Sequence, residues 1–215
     1  MSSGLHPKDF SEIRLGAIKD LLETDSIYKQ TVENFSEAGA TIIEFTPPEV
    51  SMDGFLSILN IDMRNDLKAY LKEYANPDVI KITSIEDAVA FNNADSLIRI
   101  PYGQALFEGM LSDTTTTTEL EEIKANLEKN GRAFFDTAMD KYKLDAVLSI
   151  NNYHAGYAAV AKYPALTMPM GYKASGEPLS LTFIGKQFSE ANLLQIGKAY
   201  EEKFPNRAIP SDYRN

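Results

Sequence analysis

The chain has 215 residues, of which 44% are hydrophobic and 24% charged, a composition typical of globular proteins and not of collagen or disordered chains. Its 31 acidic and 21 basic side chains give a formal net charge of −10, which disfavours nucleic acid and anionic membranes as partners. Because the chain has no cysteine, it cannot form disulfides or thiolate sites, and with no apolar leader in its first ten residues it is expected to be cytoplasmic.

Strand and helix patterns alternate from the start of the chain. A short apolar strand is predicted at 13–18, with turn residues after it, and a second one at Thr41–Phe45. Between them, Asp25 is a suitable N-cap for an amphipathic helix that Gly39 closes. Spacings of three and four predict a long helix over 54–74, whose apolar face would be formed by Leu56, Leu59, Met63, Leu67, Tyr70 and Leu71.

The same alternation continues further along the chain. Ser84 is expected to begin a helix. The threonine run at 114–118, followed by acidic residues, predicts the entry to a long helix over 119–142, with a phosphorylation cluster as the alternative interpretation. Ser189 is expected to cap a final helix through Tyr200. Three more strands are predicted at 145–150, 164–168 and 178–185.

This order of elements indicates a single α/β domain over 1–215, with a sheet covered by helices and a helical excursion at about 54–112. The predicted strands are apolar on both faces, which is typical of interior strands and not of a half-exposed antiparallel sheet. No linker rich in proline, glycine or serine requires a second domain.

Several kinds of catalytic site are excluded by what the sequence lacks. With only His6 and His154, the chain cannot form an HExxH helix, and it has no glycine-rich phosphate loop and no GxSxG nucleophile elbow. We therefore predict no metal site and no organic cofactor.

A polar segment follows the strand predicted at 145–150. Because loops at the carboxyl ends of strands bind ligands in α/β sheets, we expect this segment to recognise an amide or a carboxylate. The alternative is that its asparagines cap a helix and that the histidine is merely exposed. A general-base role for this histidine is disfavoured, since no serine or carboxylate partner is evident at a fixed offset. The candidate substrate-binding residues are Asn151, Asn152, Tyr153 and His154.

A second group of candidates lies near a Pro-Tyr-Gly turn. Arg99, beside that turn, could bind a substrate carboxylate through a two-pronged contact, or it could pair with a surface acid. Gln104, at the end of the turn, is the other second-choice binding residue.

Ordered motifs in the chain resemble the C-terminal signature of the amidase signature family. The four segments are LDAVL (144–148), YPALTMPMG (163–171), GEPLSLTFIG (176–185) and SEANLL (189–194). Earlier in the chain, IRLGA (13–17) and EAGATIIE (37–44) also resemble the family, and IPYGQ (100–104) is similar to its peptide-amidase branch. The sequence departs from the pattern at Lys162 and Ser180, where glycine is usual, and at Asn151-Asn152, where Pro-Thr or Pro-Ser is common.

The resemblance implies the second half of the amidase signature fold, in which both halves share one mixed, mostly buried sheet. It further implies an amide hydrolase of the Ser–cis-Ser–Lys type whose catalytic residues all lie in the N-terminal half, so no catalytic residue is assigned here. The chain would supply scaffold and part of the pocket for a small amide substrate, and it is predicted to be inactive alone. Its expected partner is an N-terminal amidase half, or a second copy through an open sheet edge.

Two alternatives stay open at this point. One is a fragment of the A subunit of a tRNA-dependent amidotransferase. The other is a non-catalytic amide-binding or scaffold protein that uses the same loop.

Overall fold

The structure, a computed structural model, describes residues 5–208. Its strands are Arg14–Ile18 (β1), Thr41–Phe45 (β2), Ala146–Ile150 (β3), Ala165–Tyr172 (β4) and Pro178–Ile184 (β5). Its helices are Lys19–Thr24 (α1), Ser26–Glu37 (α2), Phe55–Tyr74 (α3), Ile85–Asn93 (α4), Ser96–Arg99 (α5), Ala105–Ser112 (α6), Thr117–Tyr142 (α7), Ala155–Ala161 (α8) and Glu190–Lys203 (α9). A short 3-10 turn, Phe10–Glu12, precedes β1.

These elements form two compact units. The sheet unit contains the described residues up to Ser51 and from Glu128 onward, and the helical unit contains Met52–Leu127. No helix within residues 5–208 is both long enough and apolar enough to cross a membrane.

The sheet unit is built on one mixed sheet with the strand order β2-β1-β3-β5-β4. β1 pairs in parallel with β2 and β3, whereas β5 pairs antiparallel with both β3 and β4. The predicted α/β class with a mixed, helix-covered sheet is therefore confirmed.

Helices cover both faces of this sheet. On one face, α2 and α9 bring Phe35 and Tyr200 together as stacked rings with centroids 5.2 Å apart, over a cluster that includes Leu148. On the other face, α7 and α8 pack Phe135 and other apolar side chains against Val147. Both faces of β3 are thus buried, as its continuous apolar sequence predicts.

The interior character predicted for every strand is wrong for the two terminal strands. β2 is mostly half-buried, and β4 alternates between exposed and more buried positions because it lies at the antiparallel end of the sheet. β4 also extends past its predicted end at Met168 to Tyr172, with an irregularity between Pro169 and Gly171.

Most predicted helix starts are confirmed at the level of single hydrogen bonds. Asp25 Oδ1 accepts the N–H of Tyr28 at 2.8 Å, and the Ser84 side chain accepts the N–H of Asp87. The threonine run is a helix entry, since Thr116 and Glu119 form a reciprocal capping box before α7.

Two local predictions are wrong. The residues after β1 form helix α1 and not only a turn, because Lys19 continues directly into helical backbone. Ser189 precedes α9 but does not cap it through its side chain. Its hydroxyl is buried against Gly185 and has no hydrogen-bond partner among the described residues.

In the helical unit, the face of α3 that was predicted to be buried is largely exposed. Its buried residues are instead Asn60 and Ile61. Asn60 donates to the Asp113 carboxylate at 3.0 Å. Hydrogen bonds with Thr115 and with Asn60 hold the pKa of that carboxyl below its ordinary value. Arg64, one turn later, donates to the carbonyls of Met110 and Asp113. Polar contacts at this spacing therefore decide which face of α3 turns inward.

Asp145, immediately before β3, links three separate parts of the sheet unit. Its Oδ1 accepts from Lys8 Nζ at 2.6 Å and from Asn192 Nδ2 at 3.3 Å, and its Oδ2 accepts the N–H of Arg14 at 2.9 Å. The backbone N–H of Asp145 also donates to the Arg14 carbonyl at 2.8 Å. The segment before β1, β1 itself and α9 are thus held at the start of β3.

Replacing Asp145 by asparagine should lower the free energy of unfolding by about 1–3 kcal/mol, because hydrogen bonds to a charged group are lost in a mostly buried position. Urea denaturation followed by circular dichroism measures this change. The matched control is Asp140→Asn, which removes an ion pair from a carboxylate whose side chain is 65% exposed, so little change is expected there. Equal effects of the two variants would contradict this role for Asp145.

Gly131 marks a close approach between α7 and α8. A Cβ at this position would lie 2.7 Å from both the Tyr157 carbonyl oxygen and a Val160 methyl group. Because a backbone carbonyl cannot move aside cheaply, glycine is required here for packing.

Gly131→Ala should destabilise the protein by about 1–3 kcal/mol, although alanine ordinarily favours a helix. Gly109→Ala in α6 is the control, since the nearest atoms to its added Cβ would be 3.9 Å away. That change should stabilise its helix by up to about 1 kcal/mol. Thermal denaturation of both variants checks the opposite signs, and a shift of the same sign in both would show that the contact with α8 is not decisive.

Candidate functional site

The polar loop predicted as a ligand-binding segment lies at the carboxyl end of β3. Since β1 and β2 run parallel to β3, their carboxyl ends lie at this same edge of the sheet. β5 runs antiparallel, so its first residues lie there too. The loop is therefore placed where an α/β sheet commonly binds ligands.

Asn151 fixes the start of the loop. Its backbone has φ +47°, a left-handed conformation that asparagine tolerates better than most residues. Its N–H donates to the Ser180 carbonyl, and its Oδ1 accepts the Ser180 N–H, both at 2.8 Å. Its carbonyl accepts from Thr182 Oγ1 at 2.6 Å. These bonds tie the loop to β5 and occupy the side-chain oxygen of Asn151.

Asn152 and Tyr153 form the exposed part of the loop, with Tyr153 57% exposed. The loop turns tightly at this point, because the Tyr153 N–H donates back to the Ile150 carbonyl at 3.0 Å. An amide side chain and a phenol hydroxyl are thus presented to solvent on a short, hydrogen-bonded turn.

His154 is half-buried at the start of α8. Its Nδ1 lies 2.7 Å from Oγ of Ser149, which is only 1% exposed. Its ring lies beside Phe134, with centroids 5.2 Å apart, and beside Tyr157 at 6.0 Å. Burial lowers the pKa of His154 below its ordinary value, which favours the neutral imidazole.

Two expectations about this histidine are corrected. A serine partner does exist: Ser149 is five residues before His154, and the turn after β3 brings the ring back over its side chain. The alternative in which the asparagines cap α8 and His154 is merely exposed is also wrong. His154 itself occupies the N-cap position, with no side-chain capping bond, and Asn151 bonds to β5 instead.

A row of hydroxyl groups crosses the sheet beside this loop, and sequence reasoning did not find it. Ser149 on β3 lies opposite Thr182 on β5, which lies opposite Thr167 on β4. Thr182 donates to the Asn151 carbonyl, so Thr167 is the donor in the 3.0 Å contact between the two threonines. Only the strand register could have shown this row, because the three residues are far apart in sequence.

Lys173 is a second residue that the sequence did not single out. It lies in the β4–β5 hairpin, where its Nζ bonds to Glu177 at 2.9 Å, which raises the pKa of the lysine. The hairpin lies at the carboxyl end of β4, which is the edge where the loop after β3 is found. A positive charge is therefore present at the same edge of the sheet as the loop.

Arg99 and Gln104, the second-choice candidates, lie in the helical unit. Arg99 donates to the Phe91 carbonyl and lies over the Phe91 ring, 3.7 Å from its centroid. The described ion pairs do not include Arg99, so the surface acid considered as its alternative partner is not what holds it in place. Gln104 is buried, and its amide bonds to Asn92 and Asn93.

Within residues 5–208, no group of three or more histidine or carboxylate side chains is arranged to hold a metal ion. The candidate site of the sheet unit therefore consists of an amide, a phenol, a neutral imidazole and a nearby ammonium group. Such a set can donate hydrogen bonds to a carbonyl or carboxylate oxygen.

No protein-family model matches the chain. Among curated proteins, it is similar to a probable amidase of Arabidopsis thaliana, with 27% identity over 94% of this chain and 39% of that protein. It is also similar to the A subunit of the glutamyl-tRNA(Gln) amidotransferase of a Psychrobacter species, with 25% identity over 91% of this chain and 44% of that protein.

The similarity to amidases is also found among solved structures. An amidase family protein from Bacillus anthracis superposes with a TM-score of 0.85 and 28% identity, over 97% of this chain and 42% of that one. The native peptide amidase from Stenotrophomonas maltophilia superposes with a TM-score of 0.83 and 24% identity, over 98% of this chain and 46% of that one.

The chain thus spans about two-fifths of the length of the proteins that it matches. The resemblance found in its motifs is confirmed: the homologues and structural neighbours of this chain are amidase signature family enzymes, and the chain aligns with one part of their length.

Proposed function

We propose that this chain supplies scaffold and part of the substrate pocket of an amide (C–N bond) hydrolase. The observation that carries the proposal is the loop at the carboxyl end of β3, which exposes Asn152 and Tyr153, in a chain that aligns with an amidase over 94% of its own length. Asn151, Asn152, Tyr153 and His154 are the proposed contacts of this loop to a small amide substrate. We also infer a cytoplasmic location from the acidic composition without cysteine.

We further propose that the chain does not hydrolyse amides by itself. In the resembling family the nucleophile, the bridging serine and the lysine belong to the N-terminal half. The serine of this site, Ser149, is 1% exposed and hydrogen-bonded to a histidine, so a substrate carbonyl cannot approach its hydroxyl. A buried hydroxyl of this kind supports a structural role and not a nucleophilic one.

A fragment of an amidotransferase A subunit is the second candidate. The similarity to the Psychrobacter protein over 91% of the chain favours it. A glutamine-dependent enzyme of this kind would require a partner subunit, whereas an amidase would not. The third candidate, a non-catalytic amide-binding protein, would use the same loop and differs only in lacking turnover in any assembly.

The partner of this chain is proposed to meet it at β2. The other terminal strand, β4, contains Pro169, which has no N–H, and an irregularity before Gly171, and both features discourage strand addition. β2 has neither. Because the Thr41 N–H donates to the Ile13 carbonyl, the N–H and C=O groups of Ile42 and Glu44 point away from β1.

This outward row on β2 is a suitable template for another strand. In the complete enzyme, we propose that the strand comes from the N-terminal half. In isolation, a second copy of the chain would take its place.

The purified chain should release no ammonia from a C-terminally amidated dipeptide above the rate of a buffer blank. A coupled ammonia assay measures this, with an intact peptide amidase as the positive control. The variants His154→Ala and Ser149→Ala should likewise release no ammonia above the blank. Any turnover by the wild-type chain would contradict the proposed inactivity, and its loss in the His154 variant would point to histidine-dependent chemistry.

Glu44→Pro should convert a self-associated chain to a monomer, because proline removes an outward N–H of β2 and leaves the bonds to β1 in place. Light scattering at high protein concentration measures the mass. Glu44→Thr is the matched control: it also removes the charge but keeps the N–H, so it should self-associate like the wild type. A wild-type chain that stays monomeric at every concentration would rule out β2 as a self-associating edge.

A further inference from the structure

The contact between Ser149 and His154 restricts where the imidazole carries its hydrogen. Ser149 Oγ lies 2.7 Å from His154 Nδ1, and the residue is 1% exposed on β3. The hydrogen bonds within residues 5–208 give this hydroxyl no second partner. A buried hydroxyl hydrogen that is not donated costs free energy, so it needs an acceptor here.

Only one arrangement of the neutral ring satisfies that requirement. If Nδ1 carried the hydrogen, it would donate to Oγ of Ser149, and the serine hydrogen would have no acceptor at a site closed to water. If the serine donates to Nδ1, every polar hydrogen of the pair is used. Burial lowers the pKa of His154 and so favours the neutral ring, whose single hydrogen then lies on Nε2.

The Nε2 atom is open to solvent. His154 is half-buried beside the rings of Phe134 and Tyr157, and Nε2 makes no hydrogen bond to any residue in the described range. The buried side-chain polar atoms without a partner in that range belong to Arg132 and Ser189, and not to His154. Nε2 therefore reaches the surface at the start of α8, and His154 directly follows the exposed Asn152 and Tyr153 in the chain.

We infer that Ser149 is a positioning residue that holds His154 as the Nε2–H tautomer, and that this Nε2–H donates a hydrogen bond to the carbonyl oxygen of an amide ligand. The inference rests on the proposed role of the loop in amide binding. In this state His154 is not a base toward the ligand, because its lone pair accepts from Ser149. The serine acts only through the ring, since its hydroxyl does not reach the surface.

Nitrogen-15 NMR of the imidazole rings tests the tautomer directly in the free chain. The exposed His6 serves as an internal reference, and a His6→Gln variant assigns the remaining signal. For His154 we expect a pyridine-like Nδ1 and a protonated, pyrrole-like Nε2. A protonated Nδ1 in the neutral ring would overturn the inference without any ligand experiment.

The second measurement titrates the labelled chain with 3-phenylpropanamide as the amide probe. Binding should shift the backbone signals of Asn152 and Tyr153 together with the Nε2–H signal of His154. In Ser149→Ala we expect the pKa of His154 to rise, because a hydrogen bond to the neutral ring is lost, and probe affinity to fall about 3- to 10-fold. Ser149→Thr retains the hydroxyl and should restore both values.

The outcomes separate the inference from the function on which it rests. If the probe shifts Asn152 and Tyr153 but leaves Nε2 unchanged, the loop binds amides and the donor role of His154 is wrong. If no signal moves at any probe concentration, the proposal that this chain binds amides is wrong, and so is the donor role of His154. The tautomer of the free chain is tested separately by its nitrogen-15 spectrum. A Ser149→Ala chain that binds as tightly as the wild type would contradict the positioning role.

Discussion

The carboxylate of Asp145 is the contact on which the geometry of the sheet unit depends. It holds Lys8, Arg14 and Asn192 at the start of β3, and so ties β3 to its parallel neighbour β1 and to α9. Because a strand shifted by one residue turns every side chain to the opposite face, this anchor also decides which face receives Ser149. The position of the candidate loop, five residues further on, follows from that register.

The change from parallel to antiparallel pairing explains why polar groups collect at one edge of the sheet. β1, β2 and β3 end there, and β5 begins there, so the loop after β3 meets the start of β5 at Ser180. The β4–β5 hairpin also lies at this edge and carries Lys173. If β5 ran parallel to β3, its first residues would lie at the opposite edge of the sheet, and Asn151 would have no partner at Ser180.

Local signals were sufficient to predict most elements of the fold. The cap at Asp25, the stop at Gly39 and the strand at Thr41–Phe45 depend on neighbouring residues, and the structure has them where the sequence places them. Patterns that depend on distant partners were less informative. The apolar stripe of α3 gave the wrong buried face, because Asn60 and Arg64 bond to groups about 50 residues away.

The same distinction applies to the candidate site. The location of the loop followed from the order of strand and polar residues, whereas the pairing of Ser149 with His154 did not, because it requires the tight turn that begins at Asn151 with φ +47°. The hydroxyl row from Ser149 to Thr167 likewise exists only through the strand register. Neither feature has a sequence motif of its own, since each residue type there is common in strands and turns.

The two terminal strands of the sheet unit differ in how readily each could pair with a further strand. Pro169 and the irregularity beside it make β4 a poor template for a further strand, whereas β2 presents regular backbone groups beside half-buried isoleucines. The sheet unit would therefore accept a further strand more easily beside β2 than beside β4. The carboxyl end of β2 lies at the same edge as the loop after β3, so the terminal strand that is better suited to extension ends at the edge where Asn152 and Tyr153 are exposed.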